Sequence, residues 1–377
     1  MHGIGGMERV VWDLAQAFCA RGIRTTVVTS AIAGRTGRFQ IDGIDVVAIE
    51  EARDGQYSKA FWKGTLNAFD MLCEEGLDAV IGVSAGAREI VLHRTNRTVP
   101  VLMQAHGSSI GEFVSKWRRP TARSILGSAR NLVWIFKDRH VLSRYDAIVA
   151  ISDLVKRQIR WTSFLSRSHA PVEIIANGID ERLFAFEPPA RRKARQAYGF
   201  DDTHQVIASV SRLHRQKGVC ELILAFDIFA RSNPGARLLI VGDGPDRNTL
   251  EALVRDKGLA SRVVFTGALA RSEVARSFAA ADVFSFLTLR VEGLPLNMLE
   301  ALAAGLPSVL ARSVAASIPP QAGIFTVDPR DQEAVIAAFA HACEFAARGG
   351  RTQLSDAYRL EQCASTYLEL IRRTGRR

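Results

Sequence analysis

Several features of membrane-spanning, secreted and metal-binding chains are missing from this sequence. No continuous apolar run reaches the roughly 20 residues that a transmembrane helix needs, and the start shows no charged region followed by an apolar signal segment. The five cysteines are widely scattered, with no CxxC pair and no histidine at metal-ligand spacing. We therefore expect reduced thiols, no bound metal and a location in the cytoplasm.

Nucleic-acid recognition motifs are also lacking, since there is no zinc-finger spacing, RNP-like aromatic motif or heptad repeat. We expect no nucleic-acid partner. The net charge of +10 nevertheless favours anionic partners. Residues 116–139 mix lysine and arginine with tryptophan, leucine and phenylalanine around a single acid, Asp138. This pattern favours a helix that lies on an anionic membrane at its inner face; a solvated helix face in a basic protein is the alternative.

The chain of 377 residues, 47% of them hydrophobic, is long enough for two domains. Short apolar strands alternate with helical stretches throughout, which is typical of α/β proteins with parallel sheets covered on both faces. Two Rossmann-like domains are predicted, one over 1–170 and one over 171–353, and the pattern is broken around Pro188-Pro189. The last helix, 354–377, follows the second sheet and is expected to pack back on the first domain.

The chain opens on a glycine-rich turn, "MHGIGG", that runs directly into an amphipathic helix. In α/β proteins such a turn usually follows a buried strand, because ligands bind where the strand ends. No strand precedes the turn in this sequence. Two interpretations stay open: a ligand loop that lacks its strand, or a flexible terminus.

The stretch "RVEGLPLNMLEALAAGLPSV" predicts a helix from about Pro295 to Ala304, followed by Gly305 as its stop. Glu292 then lies in the loop ahead of the helix, while Glu300 lies about 7.5 Å along the axis from the helix start. A helix start favours anions. The N–H groups expected to face an anion are those of Leu294, Leu296 and Asn297. The alternative is a capping acid and an exposed surface glutamate.

Two further loops follow strands in the second half. "SRLHRQKG" places Arg212 and Lys217 after the strand "QVIASV", where they could neutralise a diphosphate, although a lone pair of this kind is often only a solubility feature. "VGDGPDR" has only the first two glycines of a dinucleotide fingerprint, because Arg247 occupies the third position. We interpret these glycines as a tight turn and expect no nicotinamide or flavin cofactor.

In the first half, "VLMQAHG" ends a strand at His106. A single histidine at a strand end is commonly a buried structural residue. If it faces a cleft, it can instead form a hydrogen bond with a sugar or a carbonyl group.

Taken together, these motifs resemble retaining glycosyltransferase family 4. The elements "GGMERVVWDLAQAF", "HG", "ANGID", "SRLHRQKG", "VGDGP", "FTG" and "EGLPLNMLEALAAGLPSV" occur in that family's order and approximate spacing. The resemblance spans almost the whole chain, and its most specific part is the Glu-x7-Glu element that follows the Arg/Lys element. It implies a GT-B fold, with two Rossmann-like domains whose parallel sheets face each other across a cleft.

The resemblance also implies roles for the matching residues. Gly5 and Gly6 correspond to the loop that approaches the donor phosphate and the acceptor. Arg212 and Lys217 correspond to the pair that holds the donor diphosphate, with the helix start at Leu294, Leu296 and Asn297 assisting. Glu292 corresponds to an acid near the donor sugar, Glu300 to the acid that receives the ribose hydroxyls, and His106 to a histidine that contacts the transferred sugar.

The implied activity is retaining transfer of a sugar from a UDP- or GDP-linked donor to a glycan or lipid-linked acceptor, in polysaccharide or glycolipid biosynthesis. No cofactor is expected, and the lack of an Asp-x-Asp element agrees with metal independence. Two other functions stay open: a catalytically silent binding subunit of a polysaccharide assembly, and a nucleotide-sugar epimerase of the same fold.

The sequence departs from the family pattern twice. Where the family usually has a glycine-rich loop containing Pro-Glu, this chain has "SVAASIPPQAGIF". The family also places a strand directly before the opening glycine loop. Either Met1 is an internal methionine of a longer protein, or the first sheet lacks a strand, often a central one.

Overall fold

The structure is a computed structural model and describes residues 6–32, 34–50, 52, 57–106, 140–163 and 170–375. The chain divides into two compact units: unit 1 comprises Met1–Gly178 and Ala357–Arg377, and unit 2 comprises Ile179–Asp356. Gly5 and the basic segment 116–139 lie outside the described residues.

Unit 1 alternates helices and strands. Its elements in chain order are α1 (Gly6–Cys19), β1 (Thr26–Ser30), β2 (Gly37–Ile41), β3 (Ile44–Ile49), α2 (Lys59–Glu74), β4 (Val80–Val83), α3 (Arg88–His93), β5 (Val101–Ala105), β6 (Ala147–Ala150), α4 (Asp153–Ser163), β7 (Val172–Ile174) and, after unit 2, α12 (Leu360–Gly375).

The strands of unit 1 form two sheets, of order β1-β3-β2 and β4-β5-β6-β7. The second is parallel throughout, as predicted, whereas β2 and β3 form an antiparallel hairpin that the sequence analysis missed. Asp42 and Gly43 join the hairpin strands at φ of 49° and 78°. An Asp-Gly pair with two positive φ angles is a common two-residue hairpin turn, so this dipeptide was the available signal.

Helix α1 packs on both sheets of unit 1. Its Trp12 and Ala15 lie in a core cluster with residues of β2 and β3, while Leu14 and Phe18 lie in a second cluster with residues of β5, β6 and α12. Among the described residues, β1 and β4 are edge strands, and no strand joins the two sheets. The carboxyl-terminal helix α12 buries Tyr367 in the second cluster and so belongs to unit 1.

The boundary between the units lies later than the predicted 170/171. Strand β7 pairs in parallel with β6, with Val172 opposite Ile148. This pairing places residues 172–178 in unit 1, because the last strand of its second sheet begins only after position 170.

Unit 2 is built on one parallel six-stranded sheet of order β10-β9-β8-β11-β12-β13. The predicted alternation of strands and helices is present in this half, and helices pack on the sheet around a core of aliphatic and phenylalanine side chains. The elements are α5 (Pro188–Ala197), β8 (Gln205–Val210), α6 (Val219–Ser232), β9 (Ala236–Val241), α7 (Arg247–Asp256), β10 (Val263–Phe265), α8 (Arg271–Ala280), β11 (Val283–Phe286), α9 (Leu296–Ala303), β12 (Ser308–Ala311), α10 (Arg312–Ala315), β13 (Ile324–Val327) and α11 (Gln332–Ala347).

Candidate functional site

The candidate residues of unit 2 lie on the loops that follow the adjacent strands β8 and β11 and on helix α9, which begins after the second of these loops. After β8 the chain forms a short 3₁₀ turn, Arg215–Lys217, and then enters α6 through Gly218. Gly218 has φ of 72°, and a Cβ atom built on it would lie 1.8 Å from the carbonyl oxygen of Leu287. Glycine is therefore required here, because it lets the loop after β8 approach the loop after β11.

This close approach brings Lys217 and Glu292 together. The Lys217 Nζ donates to Glu292 Oε1 over 2.8 Å, and both side chains are mostly buried, at 28% and 17% exposed. The ammonium group also lies 5.5 Å from the centre of the Phe286 ring, at the end of β11. The two residues that the sequence analysis assigned to separate motifs thus form one partly buried ion pair.

Thr288 holds the same two loops together, and the sequence analysis did not identify it. Its side chain is buried, and its Oγ1 lies 3.0 Å from the carbonyl oxygen of Gln216 and 3.2 Å from Glu292 Oε1. The hydroxyl has one proton, so these two acceptors share it. Oγ1 also accepts from the backbone N–H of Arg290 over 3.2 Å. The only available signal was a polar residue two positions beyond a buried strand.

We expect Thr288→Val to lower kcat/KM about tenfold, because it leaves the Gln216 carbonyl and the Arg290 N–H without their hydroxyl partner. Thr288→Ser keeps the hydroxyl and should stay within about threefold of the unchanged protein. Steady-state kinetics of the sugar transfer that the resemblance implies, with the donor varied, is the measurement. An unchanged kcat/KM in Thr288→Val would show that these hydrogen bonds do not matter.

Arg212 is placed differently from Lys217. It lies on the loop after β8 but is exposed, and within the described ranges its guanidinium has no salt bridge or side-chain hydrogen bond. The structure therefore brings Lys217, but not Arg212, into contact with the acid that precedes α9.

The predicted helix is present as α9, with Pro295 as its N-cap residue and Gly305, at φ of 74°, after its last turn. Asn297 does more than provide a backbone N–H, since its Nδ2 donates to the carbonyl oxygen of Val210 over 2.6 Å and so ties the helix start to the end of β8. Across the part of the chain that the structure describes, the N–H groups of Leu296 and Asn297 have no acceptor, as at a typical helix start. Leu294, the third residue whose N–H was expected to face an anion, is itself buried, with 4% of its surface exposed.

Glu300 is 1% exposed. The alternative that it is a solvated glutamate on the helix surface is therefore wrong. A carboxylate at this depth is costly to bury unless it is hydrogen-bonded, and Glu300 does interact with other groups in the structure.

The glycines of "VGDGP" form a tight turn against the loop after β8. A Cβ on Gly242 would lie 2.0 Å from the Ser211 carbonyl oxygen, and one on Gly244 would lie 2.3 Å from that of Leu213. Gly242 N–H donates to the Gly267 carbonyl. These glycines are needed for close backbone packing, in agreement with the tight-turn interpretation.

In unit 1, His106 follows β5 and Gly6 is the exposed first residue of α1. His106 Nε2 donates to Gln104 Oε1 over 3.2 Å. Burial lowers the pKa of His106 from 6.5 to about 4, so the ring is neutral at neutral pH and offers one donor and one acceptor.

The lowered pKa of His106 predicts a pH-dependent stability. In the unfolded chain His106 binds a proton with the ordinary pKa of 6.5, whereas in the folded chain it does so only near pH 4. The contribution of the neutral ring to the free energy of unfolding is therefore present above pH 6.5 and is lost as the pH falls towards 4. Between about pH 7.5 and about pH 5 this loss amounts to about 2 kcal/mol. Urea unfolding at both pH values should show a smaller difference in His106→Gln, which keeps a donor for Gln104 but does not titrate. The same pH difference in both proteins would contradict the assignment.

Within the described ranges, no group of three or more His, Cys, Asp or Glu side chains is arranged to hold a metal ion. In the same part of the chain, no helix combines the length and the apolar character needed to cross a membrane.

Comparison with solved structures identifies the class of fold. Sucrose-phosphate synthase from Thermosynechococcus elongatus aligns over 99% of this chain and 94% of its own, with a TM-score of 0.76 and 18% identity. Anabaena HepE in complex with UDP and glucose aligns over 98% and 96%, with a TM-score of 0.66 and 17% identity. The fold is therefore the GT-B fold of glycosyltransferases.

Two family models match the sequence: "Glycosyl transferase 4-like domain" over residues 5–178 and "Glycosyl transferases group 1" over residues 190–342. The chain belongs to the group 1, family 4 glycosyltransferases.

Among its relatives, a GDP-mannose-dependent alpha-(1-6)-phosphatidylinositol monomannoside mannosyltransferase from Mycolicibacterium smegmatis is 33% identical over 61% of this chain and 53% of its own. An alpha-monoglucosyldiacylglycerol synthase from Streptococcus pneumoniae is 30% identical over 45% and 38%. The matches span about half or less of the length of these relatives.

Proposed function

We propose that this protein transfers a sugar from a UDP- or GDP-linked donor to a glycan or lipid-linked acceptor, with retention of anomeric configuration and without a metal ion. The observation that carries the proposal is the Lys217–Glu292 ion pair of 2.8 Å, set at the ends of β8 and β11. Ligands in parallel α/β sheets bind at such strand ends.

The positive charge for the leaving diphosphate would come from the protein itself. Lys217 supplies an ammonium group, and the free N–H groups of Leu296 and Asn297 supply the positive end of the α9 dipole. Arg212 is exposed and unpaired within the described residues, so its planar guanidinium is available for a two-pronged contact with phosphate oxygens. These groups do the work that a divalent cation does in metal-dependent transferases, and on this basis we propose metal independence.

The two acids are proposed to have different tasks. Glu292 lies on a loop, is 17% exposed and already accepts hydrogen bonds from Lys217 and Thr288, which suits an acid that binds hydroxyls of the donor sugar and stays anionic near the developing positive charge. Glu300 is buried in α9 and is proposed to receive the ribose hydroxyls. His106, neutral, is proposed to contact the transferred sugar.

In the proposed reaction, the bond between the anomeric carbon and the diphosphate oxygen breaks with oxocarbenium character, and the electron pair leaves on the diphosphate. An acceptor hydroxyl then bonds to the anomeric carbon from the same face. Its proton passes to the departing phosphate oxygen, so no separate protein base is required.

For the acceptor we propose a lipid-linked sugar or polyol, or a growing glycan, in glycolipid or polysaccharide biosynthesis. The relatives support this choice, since two of them are named for a phosphatidylinositol mannoside and a glucosyldiacylglycerol. We further propose a cytoplasmic reaction at the inner face of a membrane. Contact through 116–139 stays a prediction, because this segment lies outside the described residues.

The test is a donor screen followed by product analysis. Thermal-shift titrations with GDP-mannose, UDP-glucose and other nucleotide sugars identify the donor, and transfer from the radiolabelled donor to a lipid extract identifies the acceptor. We expect an α-linked product from an α-linked donor, with the same rate in EDTA. An inverted product, or a rate lost in EDTA and restored by Mg²⁺, would overturn the mechanism, and an altered free nucleotide sugar would instead indicate an epimerase.

A further inference from the structure

Helix α4 (Asp153–Ser163) presents an exposed face that the proposed reaction does not use. Arg157, Arg160 and Trp161 are all exposed, and their i, i+3, i+4 spacing places them on one side of the helix. We call these three residues the Trp161 face. The tryptophan is 76% exposed, more than any other exposed large hydrophobic side chain in the described part of the chain.

The opposite side of α4 is anchored in the fold. Val155 and Ile159 are 1% and 2% exposed, and the helix packs on the neighbouring strands β6 and β7. Its orientation is therefore set by core packing, and the Trp161 face points outward as a consequence of the folded structure.

The cations of the face have no acidic partner among the described residues. Neither Arg157 nor Arg160 forms a salt bridge or a side-chain hydrogen bond there, and Lys156, which is half-buried, adds a third positive charge. Asp153, the acid of the helix, lies at its other end, where burial and, to a smaller extent, the charge of Asp153 raise the pKa of Tyr358. Positive charge and the exposed ring are thus concentrated in the last turns of α4.

We propose that the Trp161 face docks on the surface of a bilayer that contains anionic lipid. Tryptophan prefers the boundary between headgroups and acyl chains, where its ring is apolar and its N–H can donate. Unpaired guanidinium groups beside it match lipid phosphates in charge and geometry. A nucleic-acid strand fits less well, because a single exposed ring cannot stack successive bases. The proposal concerns binding alone and does not depend on the transferase reaction.

The test is co-sedimentation of the full chain with phosphatidylcholine vesicles that contain about 30% phosphatidylglycerol, at low and at high salt. We expect Arg157→Gln/Arg160→Gln to weaken binding roughly 25-fold at low salt, because each basic residue contributes a factor of about five. Trp161→Ala should weaken it several-fold. The matched control is Arg192→Gln/Arg255→Gln, which removes the same charge from exposed positions of unit 2 and should bind like the unchanged protein.

A second measurement reports on Trp161 itself. Addition of these vesicles should shift the tryptophan emission to shorter wavelength in the unchanged protein, and the shift should be much reduced in Trp161→Phe. The proposal is overturned if both proteins show the same shift, if the control pair loses as much binding as the Arg157/Arg160 pair, or if neutral vesicles bind equally well. The proposal is also overturned if the Arg157/Arg160 pair loses binding to a single-stranded RNA but keeps its binding to vesicles. That result would indicate that the face binds a nucleic acid.

Discussion

Glu292→Ala is expected to lower kcat by a factor of about 10³ while the donor dissociation constant changes by no more than about threefold. Glu292 is paired with Lys217, and in the proposed mechanism its carboxylate binds the donor sugar more strongly as positive charge develops at the anomeric carbon. Stopped assays with radiolabelled donor give kcat, and calorimetry gives the dissociation constant.

Lys217→Ala provides the contrast. It should weaken donor binding and lower kcat together, since in the proposed mechanism the ammonium group binds the diphosphate both before and during bond breaking. Lys193→Ala removes the same charge from an exposed position on α5 and serves as the control. Unchanged turnover in Glu292→Ala would remove this residue from the proposed mechanism, whatever the other variants show.

Gly218→Ala is expected to lower the free energy of unfolding by about 3 kcal/mol or more and to abolish detectable donor binding. The added Cβ would lie 1.8 Å from the backbone oxygen of Leu287, so the loops after β8 and β11 must separate. Lys217 precedes this glycine directly, and its contact with Glu292 depends on that approach.

The control for this experiment is Gly258→Ala. Gly258 has φ of 70°, nearly that of Gly218, but a Cβ built there meets nothing within 4 Å. This variant therefore carries only the left-handed backbone cost of about 1 kcal/mol and should bind donor normally. Urea unfolding and donor titration of both variants are the measurements, and equal losses of stability would show that the loop contact is unimportant.

The parallel strands of both units could be predicted because each is a short run of β-branched and apolar residues between turn signals. Strand β2 could not be predicted in this way, since "GRFQI" contains glycine and two polar residues and buries only Phe39. The unit boundary also depends on a pairing, that of β7 with β6, which local composition does not encode.

The residues of the candidate site likewise divide into those that the sequence predicted and those that it did not. Lys217, Glu292 and the helix start were visible as motifs because glycine, proline and charged residues occur at fixed spacings. Thr288 could not be predicted as a site residue, since a threonine after a strand has no special pattern. Its role comes from hydrogen bonds with Gln216 and Glu292, which lie on different loops.

The sequence by itself determined the fold class, the order of the parallel strands and their helices, and the family, because these depend on local periodicity and short motifs. Only the tertiary structure decided that Lys217 and Glu292 form an ion pair across 75 residues of chain, that Glu300 is buried, and that Trp161 faces outward. The physical reason is that burial and long-range pairing depend on which strands become neighbours. Sheet order brings β8 beside β11, although two strands of the same sheet lie between them in the sequence.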